Sequence, residues 1–331
     1  MSSTKRIYYY DVLNVVSCAS VIALHCNGYV HRFDVADRWW WLHVLFEVAF
    51  YNSVPIFFML SGATLLGYRQ KYDTRTFFRK RFKKAFVPFL VFSVLFYAFA
   101  IVFTRHPDLS LTTVVYNVAT GHIPFTDYWF FVPLFILYLF MPFLSVMVAH
   151  LSNRQLLALI LLIVAMQSVC EPVIALVGAE WKLPMGSYVA YLFLGYYLSK
   201  TDWEKDTRVV TALAVAGLLF MSLRYAGIYT SDHRIPQFWT YLSLYGFTAS
   251  AAIFLIVKRL APAGGRIIRF LSRRSYGVYL IQRFVINITA YFLIPTDNPL
   301  LVALFPVVYL VCVIAVYVLQ QFRWTRWLVP G

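Results

Sequence analysis

Tyr8–Val30 reads YYYDVLNVVSCASVIALHCNGYV, an apolar run long enough to enter a bilayer that nevertheless carries Asp11, Asn14 and His25. At 100° per residue, positions 11, 14, 18, 22 and 25 fall on one helical stripe, so the three polar side chains face one way. Asn14 and His25 are eleven residues apart, about 16 Å along a helix at roughly 1.5 Å per residue. That spacing puts one polar group near an interface and the histidine well inside. An ionisable group within a span costs on the order of 2.5–3.5 kcal/mol, so it points to function by default. The same pattern also fits a buried histidine satisfied by a neighbouring helix.

The rest of the chain resembles this stretch in character. Apolar residues make up 61% and charged residues 13% of the 331 positions, against roughly 45–50% and about 25% in soluble domains. Repeated apolar runs of about twenty residues predict an all-α integral membrane protein of a single domain. The spans fall at about 11–30, 42–66, 85–104, 128–148, 155–177, 185–199, 207–228, 237–257, 275–294 and 300–321, which leaves no room for a large soluble domain. The net charge of +15 is spread unevenly over this pattern. Lysine and arginine crowd the segments on the N-terminal side, above all 69–84 and 258–274, and only Arg32, Arg38, Arg105, Lys182, Arg224 and Arg234 fall opposite. This positive-inside bias predicts cytoplasmic termini and a multi-pass bundle of about ten helices, so the charge reports topology and not a nucleic-acid surface. Tyr8–Tyr10, Trp39–Trp41, Trp324 and Trp327 sit at span ends as an interfacial belt. No small-x-small cleavage site follows the first span, which reads as retained. Cys18, Cys26, Cys170 and Cys312 lie in spans without metal-ligand spacing, so neither a metal nor a disulfide framework is expected.

Within this frame, several residues carry chemistry. The second span, running inward, places Glu47 at a depth similar to that of His25. A Glu47–His25 pair would fix the imidazole tautomer and raise its basicity, as a general base requires, although a structural ion pair fits equally. Ser61-Gly62 suits close helix packing better than nucleophilic chemistry. Tyr68–Pro88 holds the densest charge, where Arg81 and Lys84 are expected to project together at the mouth of the third span. The segment serves orientation, with anionic membrane lipids or a polyphosphate ligand as added partners. In the outer loop 105–127, His122 and Asp127 lie where an acceptor could bind, and Glu171 in the fifth span reaches the depth of His25 and Glu47. In the ninth span Tyr276, Tyr279, Arg283 and Asn287 share a face beside Gln282. Arg283 needs an acidic or polar partner in the bundle, Asp11 being one candidate.

Six strings in order, YYYDVLNVVSCASVIALHC, VPIFFMLSG, FFRKRFKKAFVPF, YWFFVPLFILYLFMPF, YLFLGYYLSK and SYGVYLIQ, resemble acyltransferase family 3, the bacterial integral-membrane O-acyltransferases, along nearly the whole chain. No hydrolase-like domain follows the tenth span, so the resemblance is to the stand-alone members. It implies transfer of an acyl group, usually acetyl, from cytoplasmic acyl-CoA to a hydroxyl of a cell-envelope or exported glycan or lipid-linked sugar. His25 matches the family's first-helix histidine, with Asn14 at the position of an arginine eleven residues earlier. Arg81-Phe82-Lys83-Lys84 matches an Arg-x-x-Arg motif, and Gln282 stands where a second histidine occurs. The implied mechanism has Arg81 and Lys84 hold the acyl-CoA phosphates while His25, steadied by Glu47, deprotonates the acceptor hydroxyl. Asp11, Asn14, Glu171, Gln282 and Arg283 are the supporting polar residues, and no tightly bound cofactor is expected. Intramembrane charges also suit a glycan or lipid-linked-intermediate transporter, and Asn14 with Gln282 suits a non-catalytic family member.

Overall fold

The computed structural model describes residues 7–32, 34, 36–104, 108–170, 188–230, 241, 244–261 and 265–331, and every regular element among them is helical. Four helical stretches are long and apolar enough to cross a membrane: Arg38–Gln70, Thr74–Phe103, Tyr128–His150 and Leu301–Gln321. Asn153–Ser168 and Thr207–Leu223 are shorter apolar helices. The chain is an all-helical membrane protein.

Helix α1 (Tyr8–His25) is absent from those four because its polar stripe lowers its hydropathy. It also ends short of the predicted position 30, so His25 occupies its last turn rather than its middle. Asn27 and Gly28 are weak helix formers, and a 3₁₀ turn, Gly28–Arg32, follows. Gly28 lies so close to the backbone of Thr296 that a Cβ would stand 2.4 Å from its carbonyl oxygen. Asp37 then caps the next helix through the Trp39 amide and also accepts from the Tyr29 hydroxyl. The hydroxyl chiefly, and the amide after it, hold this carboxyl below the usual carboxylate range.

The second predicted span is two helices, α2 (Arg38–Phe50) and α3 (Ser53–Leu65). Pro55 has no N–H to offer the carbonyl of Tyr51, which breaks the ladder at Tyr51–Asn52. The third span also carries a proline defect. Between α4 (Thr74–Arg81) and α5 (Val87–Thr104) runs a π-helical turn, Phe82–Phe86, just before Pro88. A carbonyl in that turn is used across the bundle, Ala85 accepting from the Tyr276 hydroxyl at 2.8 Å.

The segment between α5 and the next long helix contains a short helix, α6 (Leu111–Thr120), capped by Ser110 and ended by Gly121 at φ 75°. The remaining helices are α7 (Phe131–His150), α8 (Asn153–Ala165), α9 (Val189–Lys200), α10 (Thr207–Thr230), α11 (Leu244–Leu260), α12 (Arg266–Ser272), α13 (Ser275–Phe292) and α14 (Phe305–Gln321). Helices α3 and α9 cross at backbone contact. A Cβ on Gly62 would lie 1.8 Å from the Leu192 carbonyl oxygen, and one on Gly195 2.0 Å from that of Met59. Small residues here let two helices approach without a side chain between them.

Helices α1 and α13 lie side by side and run the same way. The Asn14 amide donates to Ser272 just before α13, the Cys18 thiol to the Ser275 carbonyl, and His25 meets the α13 residues Gln282 and Arg283. Against α13 stand the aromatic residues of α5 and α7, with Phe96 and Phe284 stacked at 3.7 Å. This parallel pair carries Asp11, Asn14, His25, Gln282 and Arg283.

Candidate active site

Three charged or titratable groups meet at the end of α1. His25 Nε2 lies 3.3 Å from Asp127 Oδ2, and Arg283 Nε lies 2.5 Å from the same oxygen. The side chains are 18%, 26% and 22% exposed respectively, so the cluster is sheltered but not sealed from solvent. The arginine–carboxylate approach is an ion contact rather than an aligned hydrogen bond, since both atoms lack an aligned partner. The acidic partner of Arg283 is thus Asp127 and not Asp11, because α1 and α13 run parallel and Asp11 sits at the opposite end of the pair.

Asp127 arrives on a loop that α13 clamps along its length. Asn287 Nδ2 donates to the Phe125 carbonyl at 3.0 Å, and the Tyr279 hydroxyl to the Asp127 carbonyl at 3.0 Å. In return, the Tyr128 hydroxyl donates to the Leu280 carbonyl at 2.7 Å. Phe125 adopts φ 60°, a left-handed conformation that costs a bulky residue on the order of 1–3 kcal/mol. Such strain persists only where the surroundings fix the chain, and here the Asn287 amide holds its carbonyl. The face Tyr276, Tyr279, Arg283, Asn287 does share one surface, and that surface builds the loop.

The histidine's other nitrogen completes the geometry. His25 Nδ1 and Oε1 of Gln282 are both buried without an aligned hydrogen bond, and the Gln282 side chain, 1% exposed, lies within hydrogen-bonding reach of the ring. His25 Nε2 stands 3.3 Å from Asp127 Oδ2 as an ion contact, and a ring with its proton on Nε2 would present Nδ1 as the lone pair. The arrangement can therefore accept a proton at a defined atom, with a carboxylate behind to steady the resulting imidazolium.

The other predicted residues are placed differently. Glu47 does not meet His25; its Oε2 accepts from Asn27 Nδ2 at 3.3 Å. Asn27 also contacts His43, its Oδ1 2.5 Å from Nδ1, so Glu47 belongs to a neighbouring polar cluster between α1 and α2. Asp11 and Asn14 form a clamp at the far end of α1, where the Ser272 hydroxyl donates to Asp11 Oδ1 at 2.6 Å and the Asn14 amide donates to Ser272. Arg81 turns inward, its guanidinium 5.7 Å from the Tyr138 ring, while Lys84 is exposed. The regular helix that would have projected them together is interrupted by the π turn at Pro88. His122 is exposed. Glu171 lies outside the described residues. The sequence marks Asp127 only as a loop residue where an acceptor could bind, not as the partner of Arg283. Its role could be inferred from the need of Arg283 for an anion, but the loop that delivers it has no helical periodicity to reveal its direction.

A cavity of about 230 Å³ runs along α13 below this cluster, lined by Asn14, Tyr138, Ser272, Arg273, Tyr276 and Tyr279 among others. It reaches Tyr279, one helical turn short of Arg283. Among the described residues, no group of three or more histidine, cysteine, aspartate or glutamate side chains could hold a metal ion.

The family model described as an acyltransferase domain matches residues 7–319. No curated protein and no solved structure matches the chain.

Proposed function

The chain belongs to this acyltransferase family, and on that premise we propose that it moves an acyl group, acetyl foremost, from acyl-CoA to a hydroxyl of a cell-envelope or exported glycan. In this reading it is a multi-pass protein of the bacterial plasma membrane, one domain of about ten spans with both termini in the cytoplasm. The donor enters from the cytoplasmic side, where the basic residues concentrate.

The observation that carries the reading is the buried His25 ring, its Nδ1 without an aligned hydrogen bond and Asp127 beside its other nitrogen. An acceptor hydroxyl donates to Nδ1. As its oxygen attacks the thioester carbonyl, the O–H proton passes to the imidazole, and Asp127 stabilises the cation formed. The C–S bond then breaks, and the departing thiolate takes the proton back from His25. Gln282, within reach of the ring and with no aligned hydrogen bond at Oε1, can accept there from a second hydroxyl or amide of the acceptor. Arg283 fixes the carboxylate that fixes the ring. Direct transfer is favoured because, among the described residues, no serine or cysteine side chain is hydrogen-bonded to His25 or Asp127.

His25→Ala tests the assignment. General base catalysis is worth typically about 10²–10⁴-fold, so acylation of cell-envelope glycan, read by mass spectrometry as one acyl mass per site, should fall below detection while the variant still inserts. Wild-type acylation in cells carrying only that variant would overturn it.

A further inference from the structure

The 230 Å³ cavity does not end blindly at its lower mouth. It shares Asn14, Ser272 and Arg273 with a depression of about 760 Å³ that also takes in Gln320 and Arg326. That depression in turn shares Arg273 and Gln320 with another of about 470 Å³, walled by Arg266, Arg269 and Arg274. Arg273 borders all three, so they form one basin narrowing into a tyrosine-lined neck.

The arginines fall into two kinds. Arg274 is buried, stacked 3.6 Å from the centre of the Phe270 ring, and donates to the Phe270 carbonyl, which makes it a support of the wall. Arg266, Arg269 and Arg273, at spacings of three and four residues, are exposed along one side of α12 and its C-terminal cap, with Arg326 exposed across the depression. Arg266, Arg273 and Arg326 make no ion pair among the described residues. The carboxylate of Asp11, close by, is occupied by the Ser272 hydroxyl. Gly331 also borders all three cavities beside Arg273, but no aspartate or glutamate side chain lines them; like charges in excess repel, and a multivalent anion relieves them. Planar guanidinium forks match phosphate oxygens in particular.

We infer that this arginine basin, and not the α4 arm with Lys84, holds the phosphate groups of the acyl donor, with its slender uncharged arm lying in the tyrosine neck. The inference rests on the acyl-transfer reading for what the ligand carries, but the basin's affinity for a nucleotide bisphosphate stands on the arginines alone. From Ser272 to Arg283 is eleven residues, about 16 Å by helical rise, the distance the arm spans to bring a thioester to His25. Arg81, its guanidinium beside Tyr138, flanks the neck.

The shared chemistry, a phosphate, could also come from an anionic lipid head group, so the test separates the sources. Adenosine 3′,5′-bisphosphate is titrated onto the full-length protein in nanodiscs of phosphatidylcholine alone and in discs containing phosphatidylglycerol, with adenosine as the uncharged control. The expected result is bisphosphate binding in the neutral discs, no adenosine binding, and a rise in Kd of at least tenfold in Arg273→Gln/Arg326→Gln. Arg208→Gln, an exposed basic residue outside the basin, should bind as wild type does. In turnover, the double variant should show a donor KM raised at least tenfold with kcat within threefold. Wild-type affinity in the double variant, an equal loss in Lys84→Gln, or no binding in neutral discs while phosphatidylglycerol is retained, would each overturn the assignment. Bisphosphate binding to a protein that transfers no acyl group would uphold the basin and sink the acyl-transfer reading instead.

Discussion

Replacing Asp127 with asparagine isolates the link between loop and base, because it keeps the side chain's shape and removes one charge. In the structure that charge stands 3.3 Å from His25 Nε2. Coulomb's law gives about 5 kcal/mol for an imidazolium–carboxylate pair at this distance with an effective dielectric of ~20, and about 1.3 kcal/mol at the value of bulk water. The side chains are 18% and 26% exposed, which places the pair between those limits. A loss of about 3 kcal/mol in stabilisation of the protonated base corresponds to a fall of roughly 10²-fold in kcat. The Arg283 guanidinium, left without the carboxylate now 2.5 Å away, opposes imidazolium formation as well. The assay follows release of free thiol from acyl-CoA by vesicles holding the variant at wild-type abundance. The donor KM should stay within threefold, since the donor's head lies elsewhere. Arg283→Gln added to Asp127→Asn should restore thermal stability, by removing the unpaired cation, without restoring the rate. A rate for Asp127→Asn within threefold of wild type, where His25→Ala is dead, would refute the idea that this carboxylate sustains the base.

Two further substitutions probe how the cluster is held. Asn287→Ala deletes the 3.0 Å hydrogen bond to the strained Phe125 carbonyl; it should cost about 1 kcal/mol in stability and lower kcat by about tenfold as Asp127 loses its fixed position, both readable from a melting curve and the thiol-release assay. Gly62→Ala sets a methyl group 1.8 Å from the Leu192 carbonyl oxygen, and forcing α3 from α9 should cost at least about 1–3 kcal/mol, seen as a lowered Tm in detergent with no change in donor KM for the folded fraction.

Much of this architecture was legible in sequence because it follows from periodicity. The stripe through Asp11, Asn14 and His25 and the face through Tyr276, Tyr279, Arg283 and Asn287 are both consequences of 3.6 residues per turn, and they line the two helices that meet. Pairing across helices was not legible. Glu47 and Asp127 are both carboxylates placed toward the His25 end of the bundle, and no helical period says which reaches His25. The choice is made by a loop with a left-handed Phe125 and three side-chain-to-backbone hydrogen bonds with α13. Proline effects were half visible: Pro55 and Pro88 announce local breaks, but the π turn that separates the settings of Arg81 and Lys84 depends on how the freed carbonyls find partners such as Tyr276.

The position of Asn14 shows how a departure from a family pattern can be read physically. The resemblance implies an arginine there, eleven residues before the histidine. In this chain Asn14 borders both the neck and the larger depression, and Arg273 borders both as well. The asparagine amide is committed to Ser272, the residue immediately before Arg273. A cation on α1 would face Arg273 at the same mouth and repel it, whereas a neutral amide can instead pin the α12–α13 junction from which Arg273 projects. Charge at the mouth is therefore supplied by α12, and α1 supplies the anchor. On this argument Asn14→Ala acts through the position of Arg273: donor KM rises while kcat at saturating donor holds, and the same substitution made in an Arg273→Gln background adds little. An undiminished effect of Asn14→Ala in that background would separate the two residues and refute the coupling.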